Sequence, residues 1–435
     1  MDKSSAYKRY LEPLVQDVSN FVLNLTTHQQ LIFSGVLVGG MAGLAAFLFE
    51  ELTDLAASVS LDHLQHLNWM WRSAGLIFFP AFGAFLAARL IHFLCQEAHG
   101  HGVNEVYKAI KEEDGRIRGR VAVVKLLSSA LTIGFGGSAG PEGPVIQIGA
   151  SVGSWIGQKF DVSTHNLKML AASGAAAGLA VSFGVPLAAV FFTMEVLLKD
   201  FANESFPAVV IASVSGVVTA SVFMTNAPVR PALFYSWHGP LDLIMYALLG
   251  LACAPFGVLY MRCLNSVEHF MESDRRMPEW FKPALGGIIV GIIALFLPRI
   301  MGTGRDTINA ALQGQMLGWR TGALTLGKIV ATSATLGSGG SGGAFTPALF
   351  IGATAGSAWA LLLHSWLGAS TTLAGGFAIV GMAAVVTSSY QAPVTAIVLA
   401  LEMSRDYNIL MPVMLACVVA HLTTRAHKAT PVIEQ

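Results

Sequence analysis

Glu142 is the residue whose surroundings most directly indicate a chemistry. It stands in Gly136-Gly137-Ser138-Ala139-Gly140-Pro141-Glu142-Gly143-Pro144-Val145-Ile146, a carboxylate inside a glycine-rich, apolar stretch. A carboxylate is expensive in such a place and ordinarily has a function. Pro144 favours the first turn of a helix, and the glycines ahead of it allow a tight turn. The spacing therefore predicts Glu142 just before a helix N-terminus, where free N–H groups and the positive end of the helix dipole attract anions. Held there, the carboxylate occupies a site built for an anion and leaves when a free anion arrives.

The same device recurs. Gly337-Ser338-Gly339-Gly340-Ser341-Gly342-Gly343-Ala344-Phe345-Thr346-Pro347 repeats the first segment 203 residues further on. This register pairs Lys125 with Lys328, Thr132 with Thr335, Ser138 with Ser341, Pro144 with Pro347 and Gly149 with Gly352. Further along, Pro186 through Glu195 echoes Pro393 through Glu402 at an offset of 207. Two copies of one unit make up the chain, a construction common in transporters.

Hydrophobic residues form 54% of the sequence and charged residues 12%, about half the charge share of a soluble protein. With a mean hydropathy of +0.61, the expectation is an all-α, multi-pass membrane protein. Its long apolar runs would span the bilayer. Shorter ones, at 145–156 and 187–198, cannot cross a hydrocarbon core of roughly 30 Å and must be buried in protein or line a cavity. The expected organisation is an amphipathic surface segment over 1–30, a membrane repeat over 31–224, a proline-containing linker over 225–240, a second repeat over 241–424 and a short tail over 425–435. With so short a tail, no soluble regulatory domain is expected after the second repeat. The polar stretch 271–282 is expected to be exposed. Lys108, Lys111, Arg116, Arg118 and Arg120 place their loop on the cytoplasmic side.

Zero net charge disfavours nucleic acid as a partner. Cys95, Cys253, Cys263 and Cys417 lack metal-ligand spacing, and His99 with His101 is too small a set, so no metal site is expected.

In order along nearly the whole chain, several motifs resemble those of CLC chloride channels and proton/chloride exchangers. Gly140-Pro141-Glu142-Gly143-Pro144 is similar to the family's Gly-Arg/Lys-Glu-Gly-Pro, and Gly343-Ala344-Phe345-Thr346-Pro347 to its Gly-x-Phe-x-Pro. Gly100-His101-Gly102-Val103-Asn104-Glu105 resembles its Gly-Ser-Gly-Ile-Pro-Glu, and the stretch from Leu401 to Tyr407 resembles the one ending in its pore tyrosine. The resemblance implies two inverted repeats with short broken helices meeting at a midplane anion site. It also implies a homodimer with one pore per protomer, in a bacterial inner membrane. Glu142 would be the gate. Tyr407, His101 and the backbone N–H groups of Gly143, Ala344 and Phe345 would face chloride or a similar anion. Chloride is the bound substrate ion, and no cofactor is implied.

Three departures stand out. His101 replaces a serine with a side chain that donates a hydrogen bond when neutral and carries charge when protonated. Pro141 replaces a cation and removes an N–H. Val196 occupies the position of the inner proton-relaying glutamate of family exchangers and carries no proton. Neighbouring Glu195, matched by Glu402, is expected to cap helix ends.

Val196 makes an uncoupled channel the leading expectation, with a proton-coupled antiporter as the alternative and a fluoride-selective relative more remote. Ser138 and Ser341 each sit in a Gly-x-Ser-x-Gly turn, which in an intramembrane serine hydrolase would need one such turn and a nearby base. Two copies at repeat positions point to architecture, so no enzymatic activity is expected.

Overall fold

The computed structural model describes residues 27–201, 205–224, 239–274, 276–316, 318, 320–367 and 374–426. The described residues form sixteen α-helices, with short 3₁₀ and π turns between them. The first eight are α1 (Thr27–Ser60), α2 (Trp69–Leu94), α3 (Val103–Glu112), α4 (Gly119–Gly134), α5 (Glu142–Lys159), α6 (Thr164–Phe183), α7 (Pro186–Phe192) and α8 (Phe206–Phe223). A π-helical turn, Thr193–Leu198, prolongs α7. The second eight are α9 (Pro240–Ser273), α10 (Lys282–Phe296), α11 (Arg305–Leu312), α12 (Arg320–Gly337), α13 (Phe345–Leu367), α14 (Ala374–Tyr390), α15 (Pro393–Ser404) and α16 (Leu410–Ala426).

Six of these, α1, α2, α8, α9, α13 and α16, contain spans long and apolar enough to cross a membrane. Their outward faces carry exposed aliphatic side chains such as Val218, Val222, Met411 and Leu422, as hydrocarbon solvent requires. Inside them lie α5 and α6, buried along most of their length.

The two sets of eight correspond in order. α5 packs on α6 as α13 packs on α14, and α1 packs on α8 as α9 packs on α16. The glycines explain how close the first pairs come. A Cβ on Gly149 would lie 2.1 Å from the carbonyl oxygen of Gly174, and one on Gly352 would lie 2.4 Å from that of Gly381. Small residues at a crossing let membrane helices touch backbone to backbone.

Two buried lysines repeat the same device. Lys125 Nζ donates to the carbonyls of Ala98 (3.1 Å) and Gly100 (2.7 Å). Lys328 Nζ donates to those of Ile300 (2.9 Å) and Gly302 (2.8 Å). Each ties down the glycine-rich turn that opens a short helix, α3 or α11. Lys328→Met should therefore lower thermal stability by about 1–3 kcal/mol, because two buried carbonyls lose their donor. Lys328→Arg, which keeps donors there, should lose less; equal melting temperatures for wild type and Lys328→Met would refute this role.

The boundaries differ from the sequence reading in places. α1 begins at Thr27 rather than 31, and the rest of the expected surface segment over 1–30 lies outside the described residues. So do 225–238 of the expected linker and 427–435 of the tail. α9 continues to Ser273. Lys282, expected in an exposed stretch, is buried and donates to the carbonyl of Met271 at 2.6 Å, because a lysine at a membrane helix start lowers its cost by finding a free C-terminal carbonyl.

Candidate anion site

The two glycine-rich turns meet. Gly140 and Gly343 exchange N–H···O bonds of 2.7 Å in both directions, an isolated antiparallel bridge. This brings the N-termini of α5 and α13 together. Pro144 and Pro347 each take the third position of their helix, where a missing N–H leaves no bond unmade. The approach tolerates no side chain. A Cβ on Gly143 would lie 2.0 Å from the His101 carbonyl oxygen and 2.9 Å from Gly343 Cα.

Glu142, fully buried, is the first residue of α5, one position further in than expected, with Pro141 as the cap. Its carboxylate crosses to the other repeat. Oε2 accepts from the Thr346 N–H at 3.2 Å, and Oε1 accepts from the Thr346 hydroxyl. The carboxylate thus sits at the start of α13, on the Thr346 N–H, where an anion is favoured. Phe345, which the repeat register pairs with Glu142, opens α13 and packs its ring against Phe183, Phe192 and Tyr390, with centroids 5.8, 5.7 and 5.2 Å away.

Two cavities flank this pinch. One, of about 610 Å³, is walled in part by Glu50, Asp54, Pro141, Arg299, Arg305 and Asp306. The other, of about 520 Å³, is walled in part by His99, His101, Glu268, Glu272, Lys282 and Gly339. The second lies at the start of α3, whose following loop is the basic one expected on the cytoplasmic side, and is termed the inner vestibule. The glycine turns behind the two are repeat mates. Gly100-His101-Gly102 and Gly302-Thr303-Gly304 both use positive φ at their glycines.

Ser138 and Ser341 are committed to joining the repeats. Ser138 Oγ lies 3.0 Å from Thr332 Oγ1, and Ser341 Oγ lies 3.1 Å from Ser128 and 2.8 Å from Ser129. Among the described residues, no histidine is hydrogen-bonded to either hydroxyl. Glu195 Oε2 accepts from the Thr395 N–H (2.7 Å) at the start of α15, and Glu402 Oε2 accepts from the Ala188 N–H (2.7 Å) at the start of α7. Each repeat caps the other's helix, the role that the duplicated pair suggested.

A model of the voltage gated chloride channel family matches residues 82–425. The protein belongs to the CLC family. A ClcB-like chloride channel protein of Ralstonia nicotianae is 30% identical over 358 residues, 81% of this chain and 83% of that one. The H(+)/Cl(-) exchange transporter ClcA of Vibrio cholerae is 30% identical over 440 residues, 98% of this chain and 93% of its own length. Among solved structures, that of a slow cyanobacterial Cl-/H+ antiporter superposes with a TM-score of 0.82 at 23% identity, covering 94% of this chain and 97% of that one. This CLC protein is accordingly a multi-pass membrane protein of an anion-transporting family.

Of the residues expected at the anion, the structure brings together Glu142, Gly143, Gly140, Gly343, Ala344 and Phe345. Tyr407 is not among them. It starts a 3₁₀ turn before α16 and is 78% exposed, so the expected meeting of Tyr407 with His101 does not occur. Tyrosines near Glu142 come from elsewhere. Tyr260 on α9 donates to the Ala344 carbonyl at 3.0 Å, and Tyr390 at the end of α14 is buried against Phe345 and Phe192. Both lie within electrostatic reach of the Glu142 carboxylate.

Tyr390 had a signal in the sequence. The offset of 207 pairs it with Phe183, ahead of the repeated prolines, and Gln391 shares the left-handed φ of Gly184 (56° and 58°). Thr346 had one too, as a hydroxyl residue in the first turn after the glycines. The positive charge lost at Pro141 has a substitute in space. Arg305 at the start of α11 pairs with Glu50 (2.9 Å), donates to the Ser182 carbonyl (3.0 Å), and acts electrostatically on Glu142.

Proposed function

We propose that this CLC protein exchanges chloride for protons across a bacterial inner membrane, as a homodimer with one pathway per protomer. The observation that carries the reading is the Glu142 carboxylate, seated on the N-terminus of α13 between two vestibules. An anion and this carboxylate compete for the same N–H groups. Protonation removes the carboxylate's claim on them, and a nearby anion disfavours the charged form. Anion entry and proton uptake are thereby linked at one carboxylate, the elementary requirement for coupled exchange. The names of the ClcA relatives support the same reading.

Val196 favours the uncoupled channel instead. It is buried in the π turn after α7 and offers no titratable group. Its neighbour Glu195 is committed to capping α15. The two readings separate in liposomes containing the purified protein. An imposed chloride gradient should drive protons uphill at a fixed chloride-to-proton ratio, recorded as a change in external pH. Chloride flux with no proton movement would establish the channel.

Within this reading Tyr390 supplies a hydroxyl to the transported anion. Tyr390→Phe should weaken chloride binding roughly tenfold, the consequence of losing one hydrogen bond to a charged group. Tyr407→Phe should leave it unaltered. Titration calorimetry measures both, and an unchanged affinity in Tyr390→Phe would remove that tyrosine from the site.

A further inference from the structure

We propose that His101 and Glu268 form the proton entry of the inner vestibule, a pair that serves Glu142 in place of a carboxylate at Val196. The assignment rests on the antiport reading. His101 comes from the turn before α3 and Glu268 from α9, in the other repeat. His101 Nε2 lies 3.5 Å from Glu268 Oε2, with the imidazole side chain 7% exposed and the carboxylate side chain 36% exposed. His101 Nδ1 is buried and makes no hydrogen bond among the described residues, while Nε2 faces the Glu268 carboxylate. A buried polar atom without a partner is costly and calls for an explanation. An imidazole that accepts a proton on one nitrogen and releases one from the other supplies it.

The placement is that of a relay. Glu268 and His101 both line the inner vestibule, Glu268 being the more exposed of the two. The backbone of His101 touches Gly143, the residue after the gate. The Glu268 backbone packs beside Gly337, and His99 lies beside Gly339, so the group also abuts the second glycine-rich turn.

The other charged groups within reach are His99, Glu105, Lys108 and Lys125. Lys125 is held by two carbonyls. Glu105 is held by the Gly102 N–H at 2.6 Å. His99 and Lys108 act on Glu268 electrostatically, and Glu272 and Glu279 line the same vestibule.

In the transfer, the Glu268 carboxylate takes a proton from vestibule water and gives it to His101 Nε2. The imidazolium so formed releases the proton on Nδ1 towards Glu142. One proton enters at Glu268, one leaves for Glu142, and the ring is again neutral, in its other tautomer. Rotation of the ring or return transfer resets it.

Simultaneous recording of chloride and proton flux from liposomes holding the full-length protein tests the pair. In Glu268→Gln and in His101→Gln the ratio of proton to chloride flux should fall about tenfold or more, the scale of losing a positioned acid–base group. Glu268→Asp, which keeps the acid, should retain part of the coupling and shift its dependence on inner pH. Chloride flux in the same vesicles shows that a variant is folded, and each of the two glutamine variants tests the pair alone. Coupling by the wild type, together with an unchanged ratio in both, would overturn the relay and leave antiport standing. Absence of proton movement in the wild type itself would overturn antiport, and the relay with it.

Discussion

Glu142→Gln moves chloride without protons. The wild-type carboxylate must gain a proton to leave the N-terminus of α13, so lowering pH should open the pathway and raise flux. The glutamine side chain has no charge to lose and makes only weak use of the Thr346 N–H. Chloride flux in the variant should be nearly independent of pH. Proton movement should fall by about a hundredfold or more, as expected on removal of an essential proton-carrying group. Glu142→Ala should behave in the same way and, by vacating the volume, pass chloride at least as fast. Folded variants with the wild type's flux and pH profile would show that Glu142 is not the gate.

A methyl group at Gly143 is the second large effect. In Gly143→Ala the new Cβ meets the His101 carbonyl oxygen at 2.0 Å and Gly343 Cα at 2.9 Å. Both neighbours are backbone, so neither can swing aside. The turns that bring α5 and α13 together must separate, at a cost of about 1–3 kcal/mol or more, and chloride affinity should collapse with them. Gly322→Ala is the control, because nothing lies within 4 Å of its added Cβ and a helical position with room for a methyl group gains from alanine. Thermal melting with and without chloride measures both. A Gly143→Ala protein with unaltered melting temperature and chloride-induced stabilisation would contradict the close approach.

Much of the architecture is legible along the chain. Composition requires a membrane. The offset of 203, with its slip to 207, gives two copies whose matched lysines, glycines and glutamates then appear in space as matched contacts. Proline at the third position of α5 and of α13, with glycines ahead, locates both anion-attracting helix starts. The duplication also separates Glu195 and Glu402 from chemistry, since a proton relay needs no twin, whereas reciprocal capping does.

The order of motifs misled where spacing was borrowed rather than reasoned. Tyr407 matched a pattern in sequence, yet its turn opens to the surface. Tyr390, matched by its own repeat mate Phe183, lies at the aromatic cluster around Phe345. The direct repeat contains that correspondence, and only the packing of α14 on α13 shows that it matters.

The sequence by itself determined the membrane class, the duplication, the family and the carboxylate at a helix start, because each depends on residues close together or on a regular offset. Tertiary structure decided which groups face that carboxylate. Thr346 is 204 residues from Glu142, Glu268 lies on the other repeat from His101, and Arg305 stands where Pro141 left no charge. Such pairs come from inverting one unit against its copy. Inversion brings most equivalent positions to opposite sides of a shared plane, so only partners at the junction, such as Gly140 and Gly343, keep the repeat offset, and the spacing of the others cannot be read along the chain.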